Sequence, residues 1–220
     1  MMTLRGLGLS LGLVAVMSLA SARAASAVTI LVFGQNGIAN TVTATTDGTT
    51  TTITGTDIAV TLTAIENAAD GTQAFLDFTF VSDSAASTNG GNIDQSFQGT
   101  FSFNSLANNA GINYLSGDFD DLATGAQGGN QLTVGAGTPT DIINFSSDVI
   151  TSLDLERALS IAFTNLTPGL AICGTSLCGF EASIAGNFSG NIGAVVPEPV
   201  SMLLFGAGLL GFAVHRRRRS

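Results

Sequence analysis

Apolar and polar residues alternate with a period of two through most of the middle of the chain. Ile58, Val60 and Leu62 alternate with alanine and threonine, and Phe97 and Phe101 share one parity, with polar residues on the other. Because successive side chains of a β-strand point to opposite faces, each run turns one apolar face inward and one polar face to water. The pattern predicts antiparallel sheets that are covered on one side.

These runs, and the turn-forming residues between them, predict an all-β domain. Asp47 and Gly48 lie between two threonine-rich runs and predict a two-residue hairpin turn, since both residues tolerate positive φ. Residues 146–160, with Ser147 as a candidate cap, fit a short helix, a strand or a loop. We therefore expect a single antiparallel β-sandwich or jelly roll, in which two sheets pack face to face. The predicted strands are 28–33, 41–46, 49–54, 58–62, 76–80, 97–103, 114–119, 131–134, 141–145, 159–163 and 180–188.

The N-terminal segment has the parts of a secretory signal peptide. Arg5 precedes an apolar stretch that is too short to span a bilayer, and small residues follow it. Ala-x-Ala cleavage sites end at Ala22, Ala24 or Ala27. We take residues 1–24 as the signal peptide.

The C-terminal segment has its own order of features: a Pro-Glu-Pro sequence, an uncharged apolar run at 200–214, and a block of arginines. At about 1.5 Å per residue a helix over this run reaches roughly 22 Å, so it can only just cross a hydrocarbon core of about 30 Å. Arginines next to an apolar span stay on the cytoplasmic side, so everything before the run lies outside. The residues that define the segment are Pro197, Glu198, Pro199, Arg216, Arg217, Arg218 and Arg219.

This order of features closely resembles the PEP-CTERM sorting signal, which is recognised by exosortase, a membrane transpeptidase of Gram-negative bacteria. The resemblance implies export, a temporary hold in the membrane by a C-terminal helix, and cleavage or transfer near Pro197, Glu198 and Pro199. The mature protein would then have no transmembrane helix. An ordinary tail anchor and a buried core helix with a basic end are the alternatives for this segment. The expected organisation is a signal peptide at 1–24, a β-rich ectodomain at 25–196 and a sorting signal at 197–220.

The ectodomain is acidic and has almost no basic residues. It contains fifteen acidic residues, a single arginine at Arg157 and no lysine, which gives a net charge of −14. Nucleic acid and anionic lipid would be repelled by such a domain, and we expect no nucleic-acid partner. Cations, or basic and neutral polysaccharides, are the partners that this charge favours.

The same composition excludes several kinds of enzyme. The only histidine, His215, lies in the sorting segment, so the ectodomain has no imidazole base; without lysine it has no Schiff-base chemistry either. Catalysis would have to use a pair of carboxylates, as in glycoside hydrolases. Asp120 and Glu156 could form such a pair, but fifteen acidic residues allow so many pairs that this one is not evidence for catalysis. We expect no enzymatic activity and no cofactor other than a calcium ion.

Two smaller features predict sites. Cys173 and Cys178 stand close together in an exported chain, and we expect a structural disulfide between them that contributes about 2–3 kcal/mol. Asp118, Asp120 and Asp121 are the densest group of carboxylates, and they are a candidate calcium site, with a solvated turn as the alternative interpretation.

The signals and the charge together indicate a non-enzymatic protein of the cell surface or the extracellular matrix. The resemblance links this setting to exopolysaccharide, and hence to the structure of a biofilm or floc. The expected partners are exosortase, the membrane before processing, and extracellular polysaccharide. A calcium- or carbohydrate-binding module and a carboxylate-dependent glycan hydrolase are the alternatives.

Overall fold

The computed structural model describes residues 28–37, 41–65, 68–150, 153 and 157–190. The predicted signal peptide and sorting signal lie outside them, and no helix able to cross a membrane is found within them. The strands are β1 (Val28–Gln35), β2 (Val42–Thr46), β3 (Thr51–Ile65), β4 (Thr72–Ser82), β5 (Ser87–Asn89), β6 (Asn92–Leu106), β7 (Ala110–Ala126), β8 (Gln131–Gly137), β9 (Ile142–Ser146), β10 (Arg157–Thr167), β11 (Ile172–Cys173), β12 (Ser176–Leu177) and β13 (Phe180–Gly190).

Eight of these strands follow one another in a closed, barrel-like ring. The order is β6, β4, β3, β1, β13, β10, β8 and β7, and β7 returns to β6 along almost its full length. All these pairings are antiparallel. The prediction of an all-β antiparallel domain is confirmed. The strands form one sheet that closes on itself, and not the expected sandwich of two separate sheets.

The alternation of apolar and polar residues does not distinguish the two architectures. One buried face and one exposed face are common to a sandwich and to a closed ring, so the sequence pattern does not separate them. Strands β3, β6 and β7 are 15, 15 and 17 residues long. Strands of this length can bend around the core and pair on both sides, which closes the sheet on itself.

Strands β1 and β2 share one position in the ring. β1 pairs with one half of β3 and of β13, and β2 pairs with the other half of the same two strands. On the opposite side, β8 and β9 divide the edge of β7 in a similar way: β8 pairs with Leu122–Thr124 and β9 pairs with Ser116–Asp120. The ring therefore has eight positions although more than eight strands contribute to it.

Inward-facing phenylalanines fill the ring. The ring centroids of Phe33 and Phe103 lie 4.8 Å apart, and those of Phe80 and Phe119 lie 4.7 Å apart, both in edge-to-face contact. This geometry is favourable beyond simple burial, because the positive edge of one ring meets the negative face of the other. The fully buried phenylalanines are Phe80, Phe97, Phe103, Phe163 and Phe188.

The predicted β2–β3 hairpin is present, but its centre lies one residue later than expected. The Asp47 amide donates to the Thr50 carbonyl, so Gly48 and Thr49 form the centre of the turn, and among these four residues only Gly48 has positive φ. Asp47 instead accepts hydrogen bonds from the amides of Thr49 and Thr50 at 2.8 and 2.7 Å. These bonds place Asp47 before the turn. Together with a hydrogen bond of 2.7 Å from the Thr49 hydroxyl, which has the largest effect, they lower the pKa of the Asp47 carboxyl to about 2.

Residues 168–179, here named the cap, cover one end of the ring. Leu170 exchanges backbone hydrogen bonds with the turn between β7 and β8. Thr175 donates to the Gly48 carbonyl and accepts from the Ala86 amide, both at 2.8 Å. The cap is thus attached to three separate connections of the ring.

A buried polar network fixes the cap from below. The Ser176 hydroxyl lies 2.5 Å from that of Thr51 and accepts a hydrogen bond of 2.8 Å from the side-chain amide of Gln95. The Gln95 side-chain oxygen accepts from the Leu177 amide at 3.1 Å, and the Ser82 hydroxyl adds a weaker contact. Because these polar groups are buried and bonded to one another, displacing the cap would leave several of them unpaired.

The predicted disulfide between Cys173 and Cys178 is present, and it lies within the cap. It closes the short β11–β12 hairpin, in which Ile172 pairs with Leu177. The Cys178 amide also donates to the carbonyl of Ala171 at 2.8 Å. The crosslink therefore has a structural position, at the base of the segment that covers the ring.

Candidate functional site

Polar side chains on the outer face of β4, β6, β7 and β9 form a regular grid. Cross-strand pairing places Thr79 beside Thr100, Thr100 beside Asp118, and Asp118 beside Asn144. The neighbouring row pairs Val81, Gln98, Asp120 and Ile142 in the same order of strands. Four strands that are distant in the sequence thus present hydroxyl, amide, carboxylate and aliphatic groups on one surface.

A depression of about 540 Å³, here named the groove, lies between these two rows. The outward side chains along it are exposed, with the exception of a half-buried Val81, and Ile142 is 67% exposed. Two inward-facing residues, Gly99 and Phe119, contribute to its floor. The full lining is Thr79, Val81, Gln98, Gly99, Thr100, Asp118, Phe119, Asp120 and Ile142.

The groove carries two carboxylates in different surroundings. Asp118 accepts a hydrogen bond of 2.8 Å from the side-chain amide of Asn144. The pKa of Asp120 is raised, because partial desolvation disfavours its charged form and because Asp83 and Asp141 repel it. One end of the groove therefore holds negative charge that no basic side chain is seen to neutralise among the described residues.

Asp121 does not face the groove. It has the inward parity of Phe119, it is half-buried, and burial followed by repulsion from Asp141 and Asp120 raises its pKa. The sequence therefore groups three carboxylates of which the strand brings only Asp118 and Asp120 to one face. Among the described residues, no three histidine, cysteine or acidic side chains are placed to hold a metal ion. Calcium binding by these residues stays a prediction.

The sequence analysis identified the two aspartates of the groove but did not identify the residues that the other strands contribute to it. Thr79, Gln98, Thr100 and Ile142 are ordinary outward residues of their own strands. Only the register of β4, β6, β7 and β9 brings them beside the aspartates. Their outward parity was the one signal in the sequence, and it applies to dozens of other residues as well.

The raised pKa of Asp120 leads to a pH-dependent prediction. Since the folded state disfavours the charged carboxylate, the domain loses stability as the pH rises from the ordinary value of 3.8 through the raised value. Asp120→Asn should therefore raise the melting temperature near neutral pH by about 1–2 °C, because the group is largely exposed. At about pH 3, where both states are protonated, the variant should match the wild type.

Thermal unfolding followed by circular dichroism at the two pH values measures this effect. Asp70→Asn, in an exposed turn between β3 and β4, is the matched control and should change neither midpoint. A lower midpoint of Asp120→Asn near neutral pH would contradict the repulsion.

Comparison with protein families finds a match to the PEP-CTERM protein-sorting motif at residues 195–219. Comparison with curated proteins and with solved structures finds no match. The matched segment contains the predicted sorting residues Pro197, Glu198 and Pro199 and the arginine block, all of which lie outside the described residues. The motif is recognised by exosortase, so it implies an exported protein that is held in the membrane only transiently. The chain is therefore a protein that carries a PEP-CTERM sorting motif at its C-terminus.

Proposed function

We propose that the domain between the two signals is a non-enzymatic structural protein of the cell surface or extracellular matrix of a Gram-negative bacterium. There it acts in an exopolysaccharide-rich biofilm or floc. The observation that carries the proposal is the sorting motif at 195–219, which directs this domain to exosortase at the outer side of the membrane. The acidic charge of the domain keeps it soluble and away from anionic lipid once it is released.

The fold supports an arrangement in which the cap points away from the membrane while the tail is held there. β1 and β13 pair with each other, so Val28 and Gly190 lie together at the end of the ring opposite the cap. Residues 191–196 connect Gly190 to the Pro-Glu-Pro sequence that begins at Pro197, and at about 3.3–3.6 Å per residue they reach at most roughly 20 Å. While the tail is held, the disulfide-bonded cap is therefore the part of the domain farthest from the membrane.

The residue inventory supports a non-enzymatic role. No histidine or lysine occurs between the two signals, so neither a serine nor the one tyrosine, Tyr114, has an ordinary basic partner. The interior is filled by the phenylalanine cluster, and the cysteines are joined to each other. Among the alternatives, carbohydrate binding has a specific observation in its favour, which is the groove.

Deleting the gene tests the proposal. We expect the wild-type protein to co-fractionate with the extracellular matrix and the deletion strain to lose cohesion of the biofilm or floc, with recovery when the wild-type gene is returned. A variant with serine at Arg216, Arg217, Arg218 and Arg219 is the matched control, because it leaves the domain intact but alters its sorting. Unchanged cohesion in the deletion strain would refute the structural role.

A further inference from the structure

We propose that the groove binds a polysaccharide segment that carries protonated amino groups. This inference deepens the proposed function, because it names the class of polysaccharide that the domain would hold in the matrix. It depends on the charge, the hydrogen-bonding groups and the shape of the outer face of β4, β6, β7 and β9.

The charge of the groove favours a cationic ligand. Asp118 and Asp120 face the groove, and Asp83 and Asp141 lie close enough to Asp120 to repel it. A protonated amine between these carboxylates would relieve the repulsion and form charge-assisted hydrogen bonds. A polysaccharide that carries carboxylates or sulfates would add to the repulsion, and the net charge of the whole domain acts in the same direction.

The remaining side chains fit the other parts of a sugar. Thr79 on β4 lies beside Thr100 on β6, on strands about 4.8 Å apart, and Gln98 lies two residues from Thr100 on the same strand. All three are exposed donors and acceptors that can bond the hydroxyl groups of adjacent sugar rings. Ile142 and Val81 flank them and offer aliphatic surface to the C–H face of a ring. Apolar contact combined with a few placed polar groups is the usual composition of a ligand site.

A peptide is a less suitable occupant of the same groove. Extended peptides usually bind by adding a strand to an open sheet edge, where unpaired backbone groups supply the affinity. The groove lies on the face of the sheet, and the backbones of β4, β6 and β7 beneath it already pair with one another. Only side chains are available to a ligand here, which suits the hydroxyls and amines of a glycan.

The test uses the purified domain, residues 25–196, after circular dichroism has shown that it is folded and rich in β-structure. Isothermal titration calorimetry at mildly acidic pH compares four probes: a β-1,4-glucosamine hexamer, its fully N-acetylated counterpart, a hexauronate and hexalysine. We expect binding of the glucosamine hexamer, with at least about tenfold weaker binding of the N-acetylated hexamer and none of the hexauronate.

Variants then locate the site. Asp118→Asn with Asp120→Asn should weaken binding of the glucosamine hexamer at least about tenfold, and Ile142→Ala should weaken it less. Asp70→Asn removes one negative charge outside the groove and should leave the affinity unchanged. The circular dichroism spectrum of each variant confirms that it is folded before its affinity is compared.

Three results would overturn the inference. One is equal binding of hexalysine and the glucosamine hexamer, which would mean attraction of any polycation, or a preference for the peptide. A second is an equal loss of affinity in Asp70→Asn and in the groove variant. The third is no binding of the glucosamine hexamer; if deletion of the gene still weakened the matrix, the structural role would stand while the groove lost its assignment.

Discussion

Replacing Gly99 by alanine will lower the free energy of unfolding of the domain by about 3 kcal/mol. Gly99 lies in the inward row of β6 and is paired with Phe80 on one side and Phe119 on the other. A Cβ atom at this position would overlap the carbonyl oxygen of Thr79 and would lie 2.8 Å from the Cα of Phe80. Both atoms belong to the backbone of β4, so they cannot move aside as the end of a flexible side chain would. The alanine would force neighbouring strands of the ring apart.

Gly34→Ala is the matched control for this substitution. Gly34 is also a strand glycine, in β1, but no heavy atom lies within 4 Å of where its Cβ would be, and its φ is not positive. We expect the stability of this variant to stay within about 0.5 kcal/mol of the wild type. Urea unfolding followed by circular dichroism measures both variants. Equal stability of Gly99→Ala and Gly34→Ala would show that the ring accommodates a side chain between β4 and β6.

Changing the sorting motif will have the largest effect in the cell, because it changes where the protein goes. Neutral residues in place of Arg216, Arg217, Arg218 and Arg219 remove the charges that we expect to hold the tail at the cytoplasmic face. The apolar run is only marginally long enough to span the membrane, so the tail should slip through and release uncut protein. The expected change is an almost complete loss of the processed surface form.

Replacing Pro197, Glu198 and Pro199 by alanines should have a different outcome. Proline restricts the residue before it to extended geometry, so we expect Pro197 and Pro199 to keep this segment extended, in a form that a transpeptidase can bind. When Pro197, Glu198 and Pro199 are replaced, uncut protein should therefore accumulate in the membrane. Gly34→Ala, far from the tail in sequence, should be processed like the wild type.

Intact mass spectrometry of each cell fraction measures both changes. The wild-type surface form should lack the residues after the motif's Pro-Glu-Pro sequence. A wild-type mass that still includes 203–220 would identify the segment as a simple tail anchor, and normal processing of both variants would mean that the enzyme reads another part of the chain.

Sequence alternation located most strands closely, but it divided one of them. The sequence pattern predicts residues 49–54 and 58–62 as separate strands, because the alternation of apolar and polar residues is interrupted between them. In the structure they form one strand, β3, with a bulge at this point. β4 pairs on both sides of the bulge, and the Asp57 amide donates to the carboxylate of Asp77 at 3.0 Å. The partner strand thus bridges an irregularity that local propensity reads as an end.

The sequence by itself determined the all-β class, the inward face of the clearly alternating strands, the disulfide pair and the sorting motif. Each of these depends on residues that are close together in the chain: a period of two, two cysteines separated by four residues, or an uninterrupted C-terminal segment. Only the tertiary structure decided the closure of the ring, the position of the cap and the composition of the groove. Closure depends on β6 pairing with both β4 and β7, and the groove depends on the register of Thr79, Thr100 and Asp118 across these strands. Register is a long-range property, because a one-residue shift exchanges the two faces of a strand while leaving its local pattern unchanged.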